Sequence, residues 1–446
     1  MNRIYILLLS AIFYGLVSHA AAPVNVKGAV IGVYIAPVAE NQTALVDYNS
    51  DLCMTPASVM KALTTATAMS ELGVDFRWET TVSVSGSLDG STLNGDVTVN
   101  CVGDPTLESR FFSDNRGFCD ELADALSAYG CRSVAGRLVV DQNCISDPGV
   151  NPSWEIEDVA WDYGAGFYGA NFRDNSFLLM LPECKVQPPI PGLTVEDRTV
   201  FGTGELLLSR GVDSGRLVAG GVCREKGVRV WCSMPDPAEV LWFETDSTLR
   251  ARGIDVCDEA GVAARGAGNV IMRHQSPRLA EVMRSLMVRS DNLMAEGVLR
   301  AIEPDGTRSD AIKHLRDLWK SRGVDLTYTR ILDGSGLSRA NALSPRQLGS
   351  VLLWMARSNY AKEYAALFPR AGVDGTLRSF LAKSPQRRRF ALKTGSMGGV
   401  QCYAGYRMDA SGENPTHVVV IMVNNFTGSR ASLRKEVERM LTETKF

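Results

Sequence analysis

The chain has 446 residues and 45% hydrophobic content, enough apolar material for cores in two to four domains, which excludes a disordered chain. Its 47 Lys plus Arg against 50 Asp plus Glu leave a formal charge of -3, so no net attraction to nucleic acid or to an anionic membrane is expected. Any substrate recognition must be local.

At the N-terminus, Arg3 and the terminal amine are followed by apolar Ile4 to Val17 and by Ser18-His19-Ala20, the pattern of an export signal over residues 1–20 with a mature start near Ala21. Read as a membrane anchor the stretch is short and is interrupted by Ser10, Tyr14 and Gly15. No later segment is long and apolar enough to span, so an exported, periplasmic or envelope-associated protein without an integral span is expected. Ten cysteines suit an oxidising compartment. None forms C-x-x-C and only four His are present, so neither a zinc site nor any other metal or cofactor is expected. Eight of the ten (Cys101, Cys119, Cys131, Cys144, Cys184, Cys223, Cys232 and Cys257) fall between residues 100 and 260, which reads either as a disulfide-stapled region or as free buried thiols.

Two apolar runs, Ala29 to Ala36 and Thr43 to Tyr48, flank a polar Glu40-Asn41-Gln42 turn and predict a hairpin. A helix follows, with Thr55 as N-cap, Pro56 at its first position, Ala62, Leu63, Ala66 and Met69 in helical spacing, and Leu72-Gly73 as its stop. From Thr80 to Gly266 short alternating runs such as Thr81 to Ser85 and Asp96 to Asn100 predict a β-rich region interrupted by one helix, Phe118 to Tyr129. The Pro-rich stretch Pro182 to Pro191, with a second boundary near 240, divides it into two subdomains. Helical periodicity returns at Ser276-Pro277 through Leu279, Val282, Met283 and Leu286, and again from Asp310 to Ser321. Strands are predicted at Phe390 to Ser396, Val400 to Arg407 and His417 to Asn424. The last helix, Ser429 to Thr444, carries a stripe of Leu433, Val437, Met440 and Leu441 that reads as core packing rather than a membrane foot. Strands at both chain ends predict an α+β domain from 21–79 and 267–446, with 80–266 as an insertion.

Ser58-Val-Met-Lys61 falls in the first turns of the predicted helix, where a three-residue separation puts hydroxyl and amine on one face. The helix start favours a forming alkoxide, and apolar neighbours lower a lysine's pKa, so the pair suits a serine nucleophile with a lysine base. Ser432-Leu-Arg-Lys435 repeats the pattern, which could be no more than a capped helix with an exposed lysine. Ser290-Asp-Asn292 adds a hydroxyl able to relay protons and an amide able to hold the lysine, although Ser113-Asp-Asn115 repeats it and either could be a capped turn. Lys393-Thr394-Gly395 occurs once, inside a predicted strand, where glycine admits a ligand backbone and lysine supplies fixed positive charge.

In this order the three motifs resemble the constellation of β-lactamases and penicillin-binding proteins. The 232 positions between Ser58 and Ser290 resemble the class C low-molecular-mass penicillin-binding proteins, the D-alanyl-D-alanine carboxypeptidase/endopeptidase family with a large insertion between the first two motifs. Gly103-Asp-Pro-Thr-Leu107, Tyr163-Gly-Ala165 and Asp333-Gly-Ser-Gly-Leu-Ser-Arg339 with Asn341 and Ser344-Pro345 extend the likeness over nearly the whole mature chain. It implies a transpeptidase-like domain, an antiparallel sheet flanked by helices, bearing a β-rich insertion.

The resemblance also implies a mechanism for cell-wall stem peptides, with β-lactam antibiotics as covalent inhibitors. Ser58 attacks the carbonyl between two D-alanines, Lys61 takes its proton, Ser290 passes a proton to the departing amine and Asn292 positions the pair. Backbone N–H groups of Ser58 and Ser396 form the oxyanion hole. Lys393 and Thr394 meet the substrate carboxylate, with Gly395 and Ser396 beside it. Asp158 and Arg339 correspond to positions that read a diaminopimelate side chain, or else are a loop acid and a surface arginine. Gly398 replaces a longer polar side chain found in family members. Arg387-Arg-Arg389 reads as a solvated basic turn rather than a wall-binding patch. A class A β-lactamase would need a Glu-x-x-x-Asn element that the chain does not offer, and a catalytically silent wall-binding protein would not be expected to keep all three motifs.

Overall fold

A computed structural model describes residues 23–113, 117–224, 227–257 and 268–446; the expected export signal and Asn115 lie outside these residues. A five-stranded antiparallel sheet unites the chain ends. Its strands are β1 (Val30–Pro37), β2 (Val46–Tyr48), β3 (Phe390–Met397), β4 (Val400–Met408) and β5 (Pro415–Asn424), in the order β3-β4-β5-β1-β2. Strand β1 is apolar on both faces because it lies between β2 and β5 and is covered above and below. Strand β3 is an edge.

Nine helices occur among the described residues: α1 (Met60–Leu72), α2 (Phe118–Tyr129), α3 (Pro237–Ala251), α4 (Leu279–Arg289), α5 (Asn292–Ala301), α6 (Arg308–Ser321), α7 (Pro345–Arg357), α8 (Ala361–Ala366) and α9 (Arg430–Glu443). One face of the sheet, with Ala391, Cys402, Ala404 and Val420, packs on α1 and α4–α8. The other face, with Phe390, Leu392, Tyr403 and Ile421, packs on α9 through Leu433, Val437, Met440 and Leu441, so the amphipathic stripe is core. No helix among the described residues is long and apolar enough to cross a membrane.

The chain leaves this body along Glu79–Val84 and returns along Asn269–Gln275, two strands that pair with each other antiparallel. Between them, smaller sheets and helices α2 and α3 enclose a separate apolar cluster built from residues between Val82 and Met272. Helix α3 was not expected from the sequence. Asp236 caps it, accepting from the Ala238 and Glu239 N–H groups at 3.0 and 3.1 Å, with Pro237 in its first turn. All ten cysteines are free, so the stapled alternative is not realised. Cys101, Cys119, Cys131, Cys223, Cys232 and Cys402 are buried as small apolar side chains.

The expected cap at Thr55 is also not used. Its N–H donates to Asn424 Oδ1 at 2.9 Å and its hydroxyl to the Arg339 carbonyl at 3.2 Å, which ties this turn to β5 and to the loop carrying Arg339. The chain turns instead at Ala57, which sits in the left-handed region at φ 48°, and passes through a 3₁₀ turn, Ala57–Val59, into α1. Left-handed backbone is costly for a residue with a Cβ and is tolerated where surrounding packing fixes it. Here that packing positions Ser58.

Candidate active site

Three elements meet at Ser58. The 3₁₀ turn presents its half-buried side chain, and Lys61 lies one helical turn on, with no exposed surface. Lys61 Nζ donates to Ser58 Oγ at 3.0 Å, to Asn292 Oδ1 at 2.6 Å and to the Ser335 carbonyl at 2.7 Å. All three ammonium protons are thereby directed. Burial lowers the Lys61 pKa to about 8, against the opposing pull of the Asp333, Asp291 and Glu296 carboxylates.

Ser290 closes α4 in left-handed conformation at φ 65°, and Asp291 caps α5 by accepting from the Met294 N–H at 2.8 Å. This break between helices turns Ser290 and Asn292 towards the same point. Asn292 accepts from Lys61 and fixes its own orientation by donating Nδ2–H to the Tyr163 carbonyl at 2.7 Å. Ser290 Oγ accepts from Lys393 Nζ at 2.8 Å, and Lys393 also donates to the Thr394 carbonyl at 2.7 Å. Lys393 is fully buried and its pKa is well below the ordinary lysine value, through burial and the neighbouring Lys61 charge. Each lysine thus holds one hydroxyl, Lys61 that of Ser58 and Lys393 that of Ser290.

Gly395 explains how the edge strand can pass so close. A Cβ there would lie 2.6 Å from the Pro56 carbonyl oxygen and 3.0 Å from Ser58 N. Only glycine lets β3 lie against the turn that carries Ser58. Gly336 does the same from the other side, since its Cβ would lie 2.0 Å from the Ala57 carbonyl oxygen.

Asp333 organises the loop that supplies the Ser335 carbonyl. Its carboxylate accepts from the Gly336 and Ser338 N–H groups, the Asn341 amide and the Trp154 indole at 2.7 to 2.9 Å. Buried Glu296 accepts from the Gly334 and Ser335 N–H groups at 3.1 and 2.9 Å. Burial and the Asp333 charge push Glu296 up to about 7. The Asp333 motif was visible in the sequence but had no role there. Ser335 and Tyr163 lie in stretches the sequence analysis singled out, but the roles of their carbonyls had no signal, because main-chain oxygens leave none.

A groove of about 430 Å³ runs past Ser58, Ser290, Asn292 and Ser396 to Glu157, Asp158 and Arg339. Asp158 accepts from the Tyr163 hydroxyl at 3.1 Å, and burial holds its carboxyl above the usual carboxylate range. Arg339 pairs with Glu155 at 2.6 Å and donates to the Gly398 carbonyl at 3.3 Å. Glu155 was missed in the sequence. A Cβ at Gly398 would meet the Arg339 guanidinium at 3.5 Å, an ordinary van der Waals contact, so the space does not by itself require glycine there. Ser396 is exposed, and its hydroxyl donates to Gln401 Oε1 at 2.9 Å. The Thr394 and Thr376 hydroxyls are hydrogen-bonded at 2.7 Å.

The duplicate Ser432-x-x-Lys435 does not face the site, and Asn115 of the other duplicate lies outside the described residues. Ser432 and Lys435 are exposed on α9, on the opposite side of the sheet from α1, and Ser113 lies in the inserted segment. Arg387 and Arg389 donate to the Gly372 and Met408 carbonyls, at 3.0 and 3.2 Å. Among the described residues no group of three or more His, Cys, Asp or Glu is placed to hold a metal ion.

A serine held by a buried lysine, a second serine held by a strand lysine, and an open edge strand beside both define a serine-type penicillin-binding D,D-peptidase. The particular family follows from sequence comparison. The profile of the D-Ala-D-Ala carboxypeptidase 3 (S13) family matches residues 15–444, and the chain belongs to that family. It is 27% identical over 422 residues to D-alanyl-D-alanine carboxypeptidase DacB of Haemophilus influenzae, covering 89% of this chain and 86% of that protein. It is 25% identical over 420 residues to a D-alanyl-D-alanine carboxypeptidase of Actinomadura sp. strain R39, covering 87% and 77%. The fold superimposes on penicillin-binding protein 4 of Haemophilus influenzae with a TM-score of 0.80 at 23% identity, over 95% of this chain and 98% of the other. A predatory endopeptidase of Bdellovibrio bacteriovorus shares the fold at a TM-score of 0.54 and 15% identity, with 93% of each chain covered.

Proposed function

We propose that the protein hydrolyses D-alanyl bonds of peptidoglycan stem peptides through an acyl-enzyme on Ser58, and that β-lactams acylate the same hydroxyl. The observation that carries this reading is the Lys61 ammonium, buried and held between Ser58 Oγ and Asn292 Oδ1. With its pKa lowered to about 8, a useful fraction of Lys61 is neutral near pH 7 and accepts the Ser58 proton as Oγ attacks the carbonyl carbon. Main-chain N–H groups of Ser58 and Ser396 receive the developing oxyanion. As the C–N bond breaks, Ser290, its hydroxyl held by Lys393, gives its proton to the leaving amine and is reprotonated at the expense of the proton that Lys61 took from Ser58. Water then attacks the acyl carbon and Ser58 departs with a proton, which restores the resting state.

In this reading Lys393, Thr394 and Ser396 take the carboxylate on the leaving side, and Gly395 admits the peptide backbone along β3. Asp158, with Glu157 near it, and Arg339 face the side chain on the acyl side, where an amine and a carboxylate suit them. The N-terminal segment directs export to the periplasm or cell envelope. Residues 21–79 and 267–446 form the catalytic domain, and 80–266 an insertion of two subdomains divided near 182–191 and 240. The paired strands at 79–84 and 269–275 support that division.

Mass spectrometry of products from purified wall fragments tests the activity. Release of D-alanine or cleavage of D-alanyl cross-links, abolished in Ser58→Ala, is expected. Wall-fragment binding with no hydrolysis by the parent protein would instead mark a silent binder.

A further inference from the structure

On the reading of Ser58 as nucleophile and Lys61 as its base, on which this rests, we infer that Glu296 is a positioning residue for acylation: from helix α5 it holds the main chain of Gly334 and Ser335, and with it the carbonyl that aims Lys61.

Gly334 and Ser335 bridge two helices through all four of their main-chain polar groups. Their N–H groups donate to Glu296 Oε1 of α5 at 3.1 and 2.9 Å, while their carbonyls accept from Thr64 Oγ1 and Lys61 Nζ of α1 at 2.6 and 2.7 Å. A shift of either residue relative to α5 therefore changes the bond to Lys61. The segment is seated directly on α5, since a Cβ at Gly334 would lie 2.8 Å from both the Ala295 carbonyl oxygen and the Leu299 Cβ. Asn292 stands one helical turn before Glu296 on the same face, and its Oδ1 accepts from Lys61 at 2.6 Å. Helix α5 thus sets two of the three hydrogen bonds of the Lys61 ammonium, one directly and one through Glu296.

A neutral amide could accept from the same two N–H groups, so a carboxyl with 1% exposure calls for a second reason. The charges around Lys61 supply it. Burial favours the neutral amine, whereas Asp333 on the loop, Asp291 at the start of α5 and Glu296 favour the ammonium, and Lys393 of β3 faces it with like charge. Glu296 is faced in turn by Asp333 and by Arg308 of α6. Burial and Asp333 push its carboxyl up to about 7, so it ionises just below the range in which Lys61 loses its proton, about 8. Ionised Glu296 therefore keeps Lys61 protonated to higher pH.

Stopped-flow acylation by penicillin at saturating concentration, followed against pH, separates positioning from packing alone. Glu296→Gln keeps an acceptor for both N–H groups in nearly the same space but removes the charge, so the midpoint of its profile should move to lower pH by at least about 0.5 unit. Glu296→Ala removes the clamp as well. Its plateau rate should fall about 10-fold or more below that of Glu296→Gln, with the half-saturating concentration unchanged, because Glu296 does not line the groove. Rates are read per labelled molecule, so unfolded protein lowers the amplitude and not the rate. An unmoved midpoint in Glu296→Gln overturns the inference, and so do equal plateaus in the two variants. The near-isosteric Gln keeps the first outcome readable if Glu296→Ala does not fold. A parent that penicillin never acylates on Ser58 removes the Ser58 reading and the inference together, whereas a parent acylated there with an unmoved midpoint in Glu296→Gln loses only the inference.

Discussion

At the residue scale the chemistry turns on where one proton sits. Lys61 must be neutral to take the Ser58 proton, and its pKa is lowered to about 8, so its neutral fraction grows as pH rises through that value. The rate of penicillin acylation should therefore rise about tenfold per pH unit below pH 8 and level off above it. Stopped-flow acylation from about pH 6 to 9 measures this, and a flat profile would remove Lys61 as the base. Ser290 and Asn292 contribute differently, by relay and by orientation. Ser290→Ala and Asn292→Ala should each slow acylation by ~10² to 10⁴-fold, the usual worth of general acid-base assistance. Ser113→Ala serves as the comparison, and a loss at Ser290 below about tenfold would contradict the relay. Asp158 and Arg339 act on selectivity. Their replacement by Ala should weaken turnover of diaminopimelate peptides by about 10 to 150-fold relative to peptides lacking the charged side chain. Equal losses on both peptide classes would make them structural residues.

At the element scale the site depends on close approach of β3 to the turn before α1. A methyl group at Gly395 would strike the Pro56 carbonyl oxygen and Ser58 N, so Gly395→Ala must push the edge strand away from Ser58. Overpacking of this kind costs about 1 to 3 kcal/mol. Acylation should fall at least 100-fold, on the scale of a displaced reacting group, while the cooperative thermal transition persists. Normal acylation in that variant would show that β3 does not bear on the serine. The same elements show what a sequence can and cannot reveal. Helix α2 was legible because Leu122, Ala123 and Leu126 form one apolar face and Gly130 stops it. Helix α5 was not, since all ten of its residues are buried and the polar side chains that repeat at helical spacing, Asn292, Glu296 and Arg300, face protein rather than solvent. Thr55 looked like a cap because composition suggests capping, but its hydrogen bonds go to β5 and the Arg339 loop, contacts more than 280 positions away in sequence. The three motifs were legible, whereas the Ser335 and Tyr163 carbonyls that aim Lys61 and Asn292 were not.

On the scale of the whole molecule, the sheet is closed by strands from both chain ends, and Ser58, Ser290 and Lys393 come together only when that closure is complete. Tyr163 and Asp158, from the stretch between the paired strands at 79–84 and 269–275, line the groove beside Ser58. Everything proposed for substrate, relay and positioning presupposes that Ser58 is the acylated residue. Peptide mapping of the penicillin-labelled protein by mass spectrometry examines this most directly. The adduct should lie on the peptide containing Ser58 and be lost in Ser58→Ala; an adduct on Ser432, or stoichiometric labelling that survives Ser58→Ala, would contradict it.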